Sequence, residues 1–267
     1  MLISEALDLK NKAFISLIGA GGKSTLFLLL GRELSKQKKR MILTTTAHMF
    51  TRQVTPFLKT GVLIESDNKK IMEERIKQSF QQDKNRTIIL IHHRLMEQEE
   101  KIAGPEPCCL DFWWKEELAD YFIVEADGAR GKSIKGPAFY EPVIPELTTD
   151  LIGVVGVDAV GLTLKEENVF RAHIFSRLTG LEWGEAITVD AIASLVNHPQ
   201  GLFKNAPYLA EKYLFINKAD NKLEKRIAEK LVTEVLKNNQ AKISDIIIGN
   251  TFQEDHPVYK VIKGITE

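Results

Sequence analysis

A chain of 267 residues with 44% apolar and 27% charged residues has the composition of an ordinary globular protein. Its 36 basic and 36 acidic side chains balance, which argues against a nucleic-acid partner, because such binding usually needs a basic excess. The apolar runs are far shorter than the ~18–20 residues of a membrane span, and the acidic start does not fit a signal peptide. With only two cysteines, which are adjacent, these features predict a cytoplasmic protein without a membrane partner.

Short apolar runs rich in β-branched residues alternate with helical stretches, the pattern of a mostly parallel sheet flanked by helices. Strands are predicted at 13–20, 40–47, 61–66, 86–93, 150–161, 213–220 and 243–250, and a short helix plus a strand at 116–129. Helices are predicted at 25–37, 67–82 (with Asp67 or Asn68 as the cap), roughly 167–197, and 223–239. The segment 135–149 contains three prolines and is predicted to be an ordered loop.

The stretch LIGAGGKST at 17–25 joins the first predicted strand to the first helix. Its glycines let the backbone turn tightly and point N–H groups at one place, which the positive helix end also faces. Lys23 adds a charge for terminal phosphates, and Ser24 or Thr25 adds a hydroxyl for Mg²⁺. We interpret the turn as a phosphate cradle, two residues shorter than the common P-loop; the alternative is a plain glycine turn. The predicted nucleotide-binding residues are Gly19, Ala20, Gly21, Gly22, Lys23, Ser24 and Thr25.

An acidic pair, Glu125 and Asp127, ends the apolar strand FIVEADGA. Ligands of α/β sheets gather at the carboxyl ends of strands, so these carboxylates can lie beside the cradle. Mg²⁺ prefers carboxylate and water oxygens, and one of the two acids is therefore expected to hold it. We predict Lys23, Glu125 and Asp127 as catalytic residues, and Ser24, Glu125 and Asp127 as the metal site. The alternative is a pair of solvated acids after an edge strand, which the apolar strand disfavours.

The sequence YLFINKAD places Asn217, Lys218 and Asp220 after another apolar strand. The Asp220 carboxylate can accept hydrogen bonds from two N–H groups of guanine that adenine lacks, and Asn217 can approach N7. Lys218 can lie along the base or brace the cradle. The alternative is local, because Asp220 or Asn221 can cap the helix that begins near 222.

Seven ordered blocks resemble the YqeC family: GAGGKST, TTTAH at 44–48, VEADGARG at 124–131, EPVIP at 141–145, GVVGVDAVG at 153–161, HPQGLFKNAP at 198–207 and LFINKAD. The resemblance spans nearly the whole chain. It implies an accessory role for selenium-dependent molybdenum hydroxylases, with the hydroxylase or molybdenum-cofactor maturation proteins as partners. Arg171 and Lys204 stand out only through this resemblance.

The order of motifs is also similar, more distantly, to metallochaperone GTPases of the HypB, UreG and CobW kind. Residues 125–128 match their E-x-x-G and residues 217–220 their N-K-x-D. This second resemblance implies a homodimer in the triphosphate state. It also implies that cysteines between the cradle and E-x-x-G can bind metal.

Weaker signals lie near the same sheet edge. Cys108 and Cys109 can be soft-metal ligands, although local packing explains them as well. His92 and His93 end a strand and can face the pocket, or form a structural pair.

Two further groups have a functional and a plain structural explanation. The first can hold water or Mg²⁺, or can simply be strand residues: Thr44, Thr45, Thr46 and His48. The second can grip a phosphate or be a solvated loop: Arg130, Lys132 and Lys135.

Together these signals predict a single P-loop α/β domain over 1–267, with a helical insertion around 162–210. The predicted function is Mg²⁺-dependent binding and slow hydrolysis of a purine nucleoside triphosphate, GTP rather than ATP, as a switch in molybdenum-enzyme maturation. One alternative is a kinase or ligase whose small acceptor binds near Lys135 and Glu141. The other is a non-catalytic carrier of a nucleotide form of the molybdenum cofactor.

Overall fold

The computed structural model describes residues 1–94 and 101–264 of the chain. The strands are β1 (Ala13–Gly19), β2 (Met41–Thr45), β3 (His48–Phe50), β4 (Val62–Glu65), β5 (Thr87–Ile91), β6 (His93–Arg94), β7 (Lys101–Ala103), β8 (Tyr121–Glu125), β9 (Ile134–Lys135), β10 (Asp150–Gly156), β11 (Val169–Phe170), β12 (Glu211–Asn217), β13 (Asp245–Gly249) and β14 (Val258–Lys263). The α-helices are α1 (Ile3–Ala6), α2 (Lys23–Ser35), α3 (Lys69–Gln82), α4 (Pro107–Lys115), α5 (Ala172–Thr179), α6 (Val189–Asn197) and α7 (Lys222–Leu236).

A nine-stranded sheet in the order β14-β13-β12-β10-β1-β8-β2-β5-β4 forms the centre of the fold. All neighbouring strands are parallel except β13 and β14. The connection from β1 to β2 runs toward one edge of the sheet, and the connection from β8 to β10 runs toward the other edge. Such divergence opens a crevice at the carboxyl ends of the two strands, where α/β proteins bind ligands.

The sheet is covered on both faces, which explains why its strands are apolar throughout. On one face, Ile15 and Leu17 of β1 pack with α1 and α2. On the other face, Phe14 packs with α3 and α4, and Ile18 with α5, α6 and α7. The glycine turn after β1 is therefore held by a strand that is fully buried on both sides. No helix in the described part of the chain is long and apolar enough to cross a membrane.

The predicted α/β sheet with flanking helices is confirmed, with a P-loop-like turn between β1 and α2. The predicted helices at 25–37, 67–82 and 223–239 correspond to α2, α3 and α7, and Asn68, not Asp67, caps α3. Within the predicted insertion, 162–210, α5 and α6 share an apolar cluster with α7 and with β10, β12 and β13.

Three expectations about elements were wrong. The short helix predicted to begin at 116 lies earlier, at Pro107–Lys115, because Pro107 can begin a helix at a position where a missing N–H is tolerated. The strand predicted over 150–161 ends at Gly156 and continues as a 3₁₀ turn. The run 243–250 is not the last strand, because β14 pairs with it at the edge of the sheet, where two lysines interrupt the apolar residues.

Candidate functional site

The turn after β1 has a backbone that only glycine adopts easily. Gly19, Gly21 and Gly22 have φ of 93°, 91° and 120°, in the left-handed region. Space is restricted as well: a Cβ on Gly21 would lie 2.4 Å from the amide nitrogen of Gly156, and one on Gly22 would lie 2.2 Å from Nδ2 of Asn217. Both the conformation and the packing therefore require the glycines of the G-x-G-G run.

The amides available to a ligand begin at Gly22, because the N–H groups of Gly19, Ala20 and Gly21 are used within the chain. The N–H of Ala20 donates to the carbonyl of Val154 (2.9 Å), and that of Gly21 to the carbonyl of Lys132 (2.9 Å). Among the described residues, the four N–H groups of residues 22–25 have no acceptor. By contrast, side chains cap the N-termini of α3, α6 and α7. The expected convergence of amides near residue 20 is thus corrected to residues 22–25, at the positive end of α2.

Lys23 is folded back over the turn. Only 3% of its side chain is exposed, and Nζ donates to the Gly19 carbonyl (2.6 Å) and lies 3.0 Å from Oδ1 of Asp127. Burial lowers the pKa of this lysine, but the charges of Asp127 and Glu125 outweigh it and hold the pKa above its usual value. Lys23 is therefore a protonated, buried cation at the mouth of the turn.

Asp127 links the turn to a second lysine. Its Oδ2 accepts from the Gly19 N–H (3.0 Å) and from Nζ of Lys135 (3.0 Å). Its Oδ1 is buried and accepts no hydrogen bond from the described residues, so the contact with Lys23 is an ion pair. Burial raises the pKa of Asp127, but Lys23, Lys135 and the Gly19 amide more than offset that effect and lower it.

Glu125 shares its oxygen Oε2 with two donors. The Ser24 hydroxyl donates to it at 3.3 Å and the Gln53 amide at 2.9 Å, and the same amide also contacts Ser24 Oγ at 2.5 Å. Burial raises the pKa of Glu125, with the charge of Lys23 acting in the opposite direction. Sequence reasoning missed Gln53, which a 3₁₀ turn brings to the site from the segment between β2 and β4.

These residues fit a magnesium–nucleotide complex. The Ser24 hydroxyl and the two carboxylates are the oxygen ligands that Mg²⁺ prefers. The buried, unbonded Oδ1 of Asp127 is an acceptor that a metal-bound water can satisfy. The four unpaired amides offer donors to phosphate oxygens. Thr25 lies in the first turn of α2 beside Ser24, and its hydroxyl makes no hydrogen bond within the described chain.

Asn217 braces the glycine turn. Its Nδ2 donates to the Gly21 carbonyl (2.7 Å) and to Thr251 Oγ1 (3.0 Å), while its Oδ1 accepts from the Thr251 N–H (2.9 Å). The side chain is fully buried. Asn217 therefore fixes the shape of the glycine turn. Both donors of its side-chain amide are used within the chain, so neither is free to bind a base.

Lys218 and Asp220 lie on the outer side of the same loop. Nζ of Lys218 donates to Ser133 Oγ (2.6 Å) and to Asp158 Oδ2 (2.8 Å), which braces the loop against which the glycine turn packs. Asp220 is exposed, and its carboxylate accepts from the Gln253 amide (2.8 Å). Asn221, not Asp220, caps α7, so the Asp220 carboxylate is not needed by the helix.

A chain of alternating charges runs from the turn toward the surface. Lys135 Nζ contacts Asp127 and also Glu141 Oε2 (2.6 Å), and Arg171 forms a two-pronged ion pair with Glu141. Burial raises the pKa of Glu141, but Arg171 and Lys135 hold it below its usual value. Lys204 donates to the carbonyls of residues 138 and 139, which fixes the same loop.

Two groups of weaker candidates have structural roles. The hydroxyls of Thr44, Thr45 and Thr46 donate to the carbonyls of residues 90, 125 and 143, which supports the plain structural explanation. His48 is exposed on β3. The rings of His92 and His93 contact each other edge to face, with centroids 4.9 Å apart. None of these side chains is bound to the glycine turn.

The cysteines lie together with one acid. The Sγ atoms of Cys108 and Cys109 and a carboxylate oxygen of Glu106 lie within 4.8 Å of one another, at the N-terminus of α4. Burial and the neighbouring Cys108 raise the pKa of Cys109 to about 11, so it is a neutral thiol at pH 7. A soft metal would have to displace that proton.

Solved structures with some likeness to the chain include two FtsY proteins. The crystal structure of FtsY from Mycoplasma mycoides has a TM-score of 0.32 at 11% identity, covering 91% of this chain and 54% of that one. Chloroplast FtsY from Physcomitrella patens has a TM-score of 0.29 at 10% identity, covering 92% and 52%. The chain thus spans about half the length of these proteins, and the scores are too low to bear on its function.

The sequence comparisons are more specific. The model of the YqeC family, described as YqeC protein, matches residues 15–173, more than half of the chain. The YqeC protein of Escherichia coli (strain K12) is 30% identical over 248 residues, which covers 93% of this chain and 90% of the relative. The matched residues include the glycine turn, the acids after β8 and Arg171. The chain belongs to the YqeC family.

Proposed function

We propose that the chain binds a purine nucleoside triphosphate with Mg²⁺ at the glycine turn and hydrolyses it slowly. The observation that carries the proposal is the run of four unpaired amides at residues 22–25, with Lys23 and two buried carboxylates in contact around it. Amides, a lysine, a hydroxyl and carboxylates are the groups that a phosphate chain and its metal require.

Nucleotide binding would replace contacts within the protein by contacts to phosphate. Lys23 would leave the Gly19 carbonyl and Asp127 for the β- and γ-phosphates, and Lys135 would remain to neutralise Asp127. Ser24 and Glu125 would hold Mg²⁺, which supplies charge neutralisation on the phosphates. Because Asp127 and the Gly19 carbonyl contact Lys23 within the chain, the lysine does not lie unpaired before the nucleotide arrives.

Hydrolysis would depend on positioning and charge neutralisation, because phosphoryl transfer needs little covalent help. The Oδ1 of Asp127, freed from Lys23, would accept a hydrogen bond from the attacking water; its burial without a hydrogen-bond donor among the described residues supports this role. The water oxygen forms a bond to the γ-phosphorus as the bond to the bridging oxygen breaks. The electron pair leaves with the diphosphate, and the water proton ends on the released phosphate.

A switch between two states follows from the position of Gln53. Its amide donates to both Ser24 and Glu125, and therefore occupies the oxygen lone pairs that a metal ion would use. Metal binding requires this side chain to withdraw, together with the two 3₁₀ turns at Thr51–Gln53 and Thr55–Phe57. Nucleotide and metal occupancy would thereby be transmitted to the surface segment between β2 and β4.

Guanine is the proposed base, because the exposed Asp220 carboxylate is free of the α7 cap and can accept from its N1–H and 2-amino groups. The proposed context, implied by the resemblance to the YqeC family, is an accessory switch in the maturation of a selenium-dependent molybdenum hydroxylase. The partners would be that hydroxylase or proteins of molybdenum-cofactor maturation. A homodimer formed in the triphosphate state is part of the same proposal.

The test is calorimetric titration of the purified protein with GTP and with ATP, each with and without Mg²⁺. We expect binding of GTP at one site per chain, weaker binding of ATP, and a marked loss without Mg²⁺. Release of free phosphate without any added acceptor would support hydrolysis. Absence of binding by either nucleotide in the presence of Mg²⁺ would contradict the proposal.

A further inference from the structure

Three cationic side chains surround one aromatic ring beside the glycine turn. The charged groups of Arg171, Arg130 and Lys135 lie 4.3, 5.2 and 5.8 Å from the centroid of Phe170. We call this set of four residues the Phe170 corner. The ring restricts the orientation of the two guanidinium groups, and the fork of Arg130, which has no partner among the described residues, remains available to a planar or tetrahedral oxyanion.

The charges of the Phe170 corner do not cancel. Lys135 is paired with Asp127 and Glu141, and Arg171 is paired with Glu141. Arg130 is exposed and makes neither an ion pair nor a hydrogen bond within the described residues. One arginine is therefore surplus, on the same ring as an arginine whose side chain is still 17% exposed.

The Phe170 corner is continuous with the predicted phosphate cradle. Lys135 reaches the Gly19 amide through a single carboxylate, since Asp127 Oδ2 lies 3.0 Å from both. The loop that carries Arg130 also packs on the turn, because the Gly21 N–H donates to the carbonyl of Lys132. A ligand in the corner would lie beside the terminal phosphate of a bound nucleotide.

We infer that the Phe170 corner is a second anion subsite, which holds the phosphate or carboxylate group of a small second substrate next to the nucleotide. This inference rests on the proposed nucleotide site and adds a substrate class to it. Arg130 and Arg171 bind the anion, and Lys135 connects it electrostatically to Asp127. The rings of Phe139 and Tyr140, 87% and 56% exposed at its rim, offer an apolar surface to the remainder of that molecule.

The experiment is calorimetric titration of inorganic phosphate, at constant ionic strength, into protein saturated with Mg²⁺ and a non-hydrolysable GTP analogue. We expect one phosphate per loaded chain. Arg130→Gln removes a charge-assisted contact without breaking an internal ion pair, and should weaken the binding by about tenfold or more. Arg226→Gln, an exposed arginine on α7, is the matched control and should leave the affinity unchanged.

Two further measurements ask whether the ligand is a free anion or an organic molecule, and whether binding needs the forked shape of the arginine side chain. Phenyl phosphate should bind more tightly than inorganic phosphate if the exposed rings hold an organic group; equal affinity would identify the ligand as the free anion. Arg171→Lys keeps the charge but loses the fork, and should weaken phosphate binding. Because it also loosens the two-pronged ion pair with Glu141, its melting temperature is measured alongside, and the affinity is compared at a temperature where both proteins are folded.

Two results would overturn the inference. One is phosphate that binds only the unloaded protein and is displaced by nucleotide, because it then occupies the cradle. The other is an Arg130→Gln affinity equal to that of Arg226→Gln. If the nucleotide analogue itself fails to bind, the proposed function fails, and the same pair of variants in unloaded protein still decides whether the corner binds an anion.

Discussion

Substitution of Lys23 by alanine tests the site through stability and binding together. Asp127 is 2% exposed and would keep only Lys135 and the Gly19 amide as partners. Removal of one member of a buried ion pair costs about 3–5 kcal/mol, and the remaining lysine places this case near about 3 kcal/mol. For a chain of this size, that loss lowers the melting temperature by roughly 6–12 °C. The sequence alone suggested little loss of fold, because it does not show that the lysine is buried.

The same substitution removes two charge-assisted contacts to phosphate oxygens, each worth about 1.5–3 kcal/mol. Nucleotide affinity should therefore fall by more than about 100-fold. The assays are urea unfolding, followed by the fluorescence of the fully buried Trp113, and calorimetric titration with GTP and Mg²⁺. Lys12→Ala, which breaks an exposed ion pair with Glu117, is the matched control and should change stability by less than about 1 kcal/mol.

A second variant separates the two effects of Lys23→Ala. Adding Asp127→Asn removes the buried negative charge and should recover at least about 1 kcal/mol of the lost stability, without restoring nucleotide binding. Wild-type stability in Lys23→Ala, or no recovery in the double variant, would refute the reasoning from the buried pair. Nucleotide affinity retained in Lys23→Ala would refute the phosphate cradle itself.

Three other substitutions test separate parts of the site. Asp220→Asn should reduce a GTP-over-ATP preference by about tenfold or more in competition titrations; a wild type without any preference would rule out guanine recognition. Glu125→Gln keeps an acceptor oxygen but not the charge. Burial raises the pKa of Glu125, so the wild-type free energy of unfolding should fall as the pH rises from its unfolded to its folded pKa, by up to about 1.4 kcal/mol per pH unit. The variant should lack that fall. Its nucleotide binding should also depend less on Mg²⁺. An identical pH dependence of urea unfolding in the two proteins would count against a buried charge. Gly22→Ala should displace Asn217 and abolish nucleotide binding, whereas Gly161→Ala, with φ of 87° but open space, should cost only about 1 kcal/mol in thermal unfolding and leave binding intact.

The sequence predicted the elements that follow from periodicity and composition. The buried parallel strands were recognised because both of their faces are apolar, and the carboxyl end of β8 was correctly expected beside that of β1. The helix α4 and the edge strand β14 were missed, because α4 is only nine residues long and begins at a proline, and because Lys260 and Lys263 interrupt the apolar residues of β14.

The site was less predictable, because its geometry depends on contacts between distant segments. Nothing local in the sequence indicates that the amides of Ala20 and Gly21 are used by β10 and by the loop after β8. Gln53 reaches Glu125 across 72 residues of chain, and Arg171 reaches Glu141 across 30. Such pairs become visible only when the fold brings the carboxyl ends of several strands together.

The position of β8 between β1 and β2 divides the site into a fixed part and a part that can move. Both neighbours hydrogen-bond to this strand up to Glu125, so the backbone beneath the two acids is held on either side. The Gln53 segment instead reaches Glu125 through side-chain contacts. A change in what occupies the crevice would thus leave the acids in place as a stationary reference, and rearrange the surface segment that carries Gln53 around them.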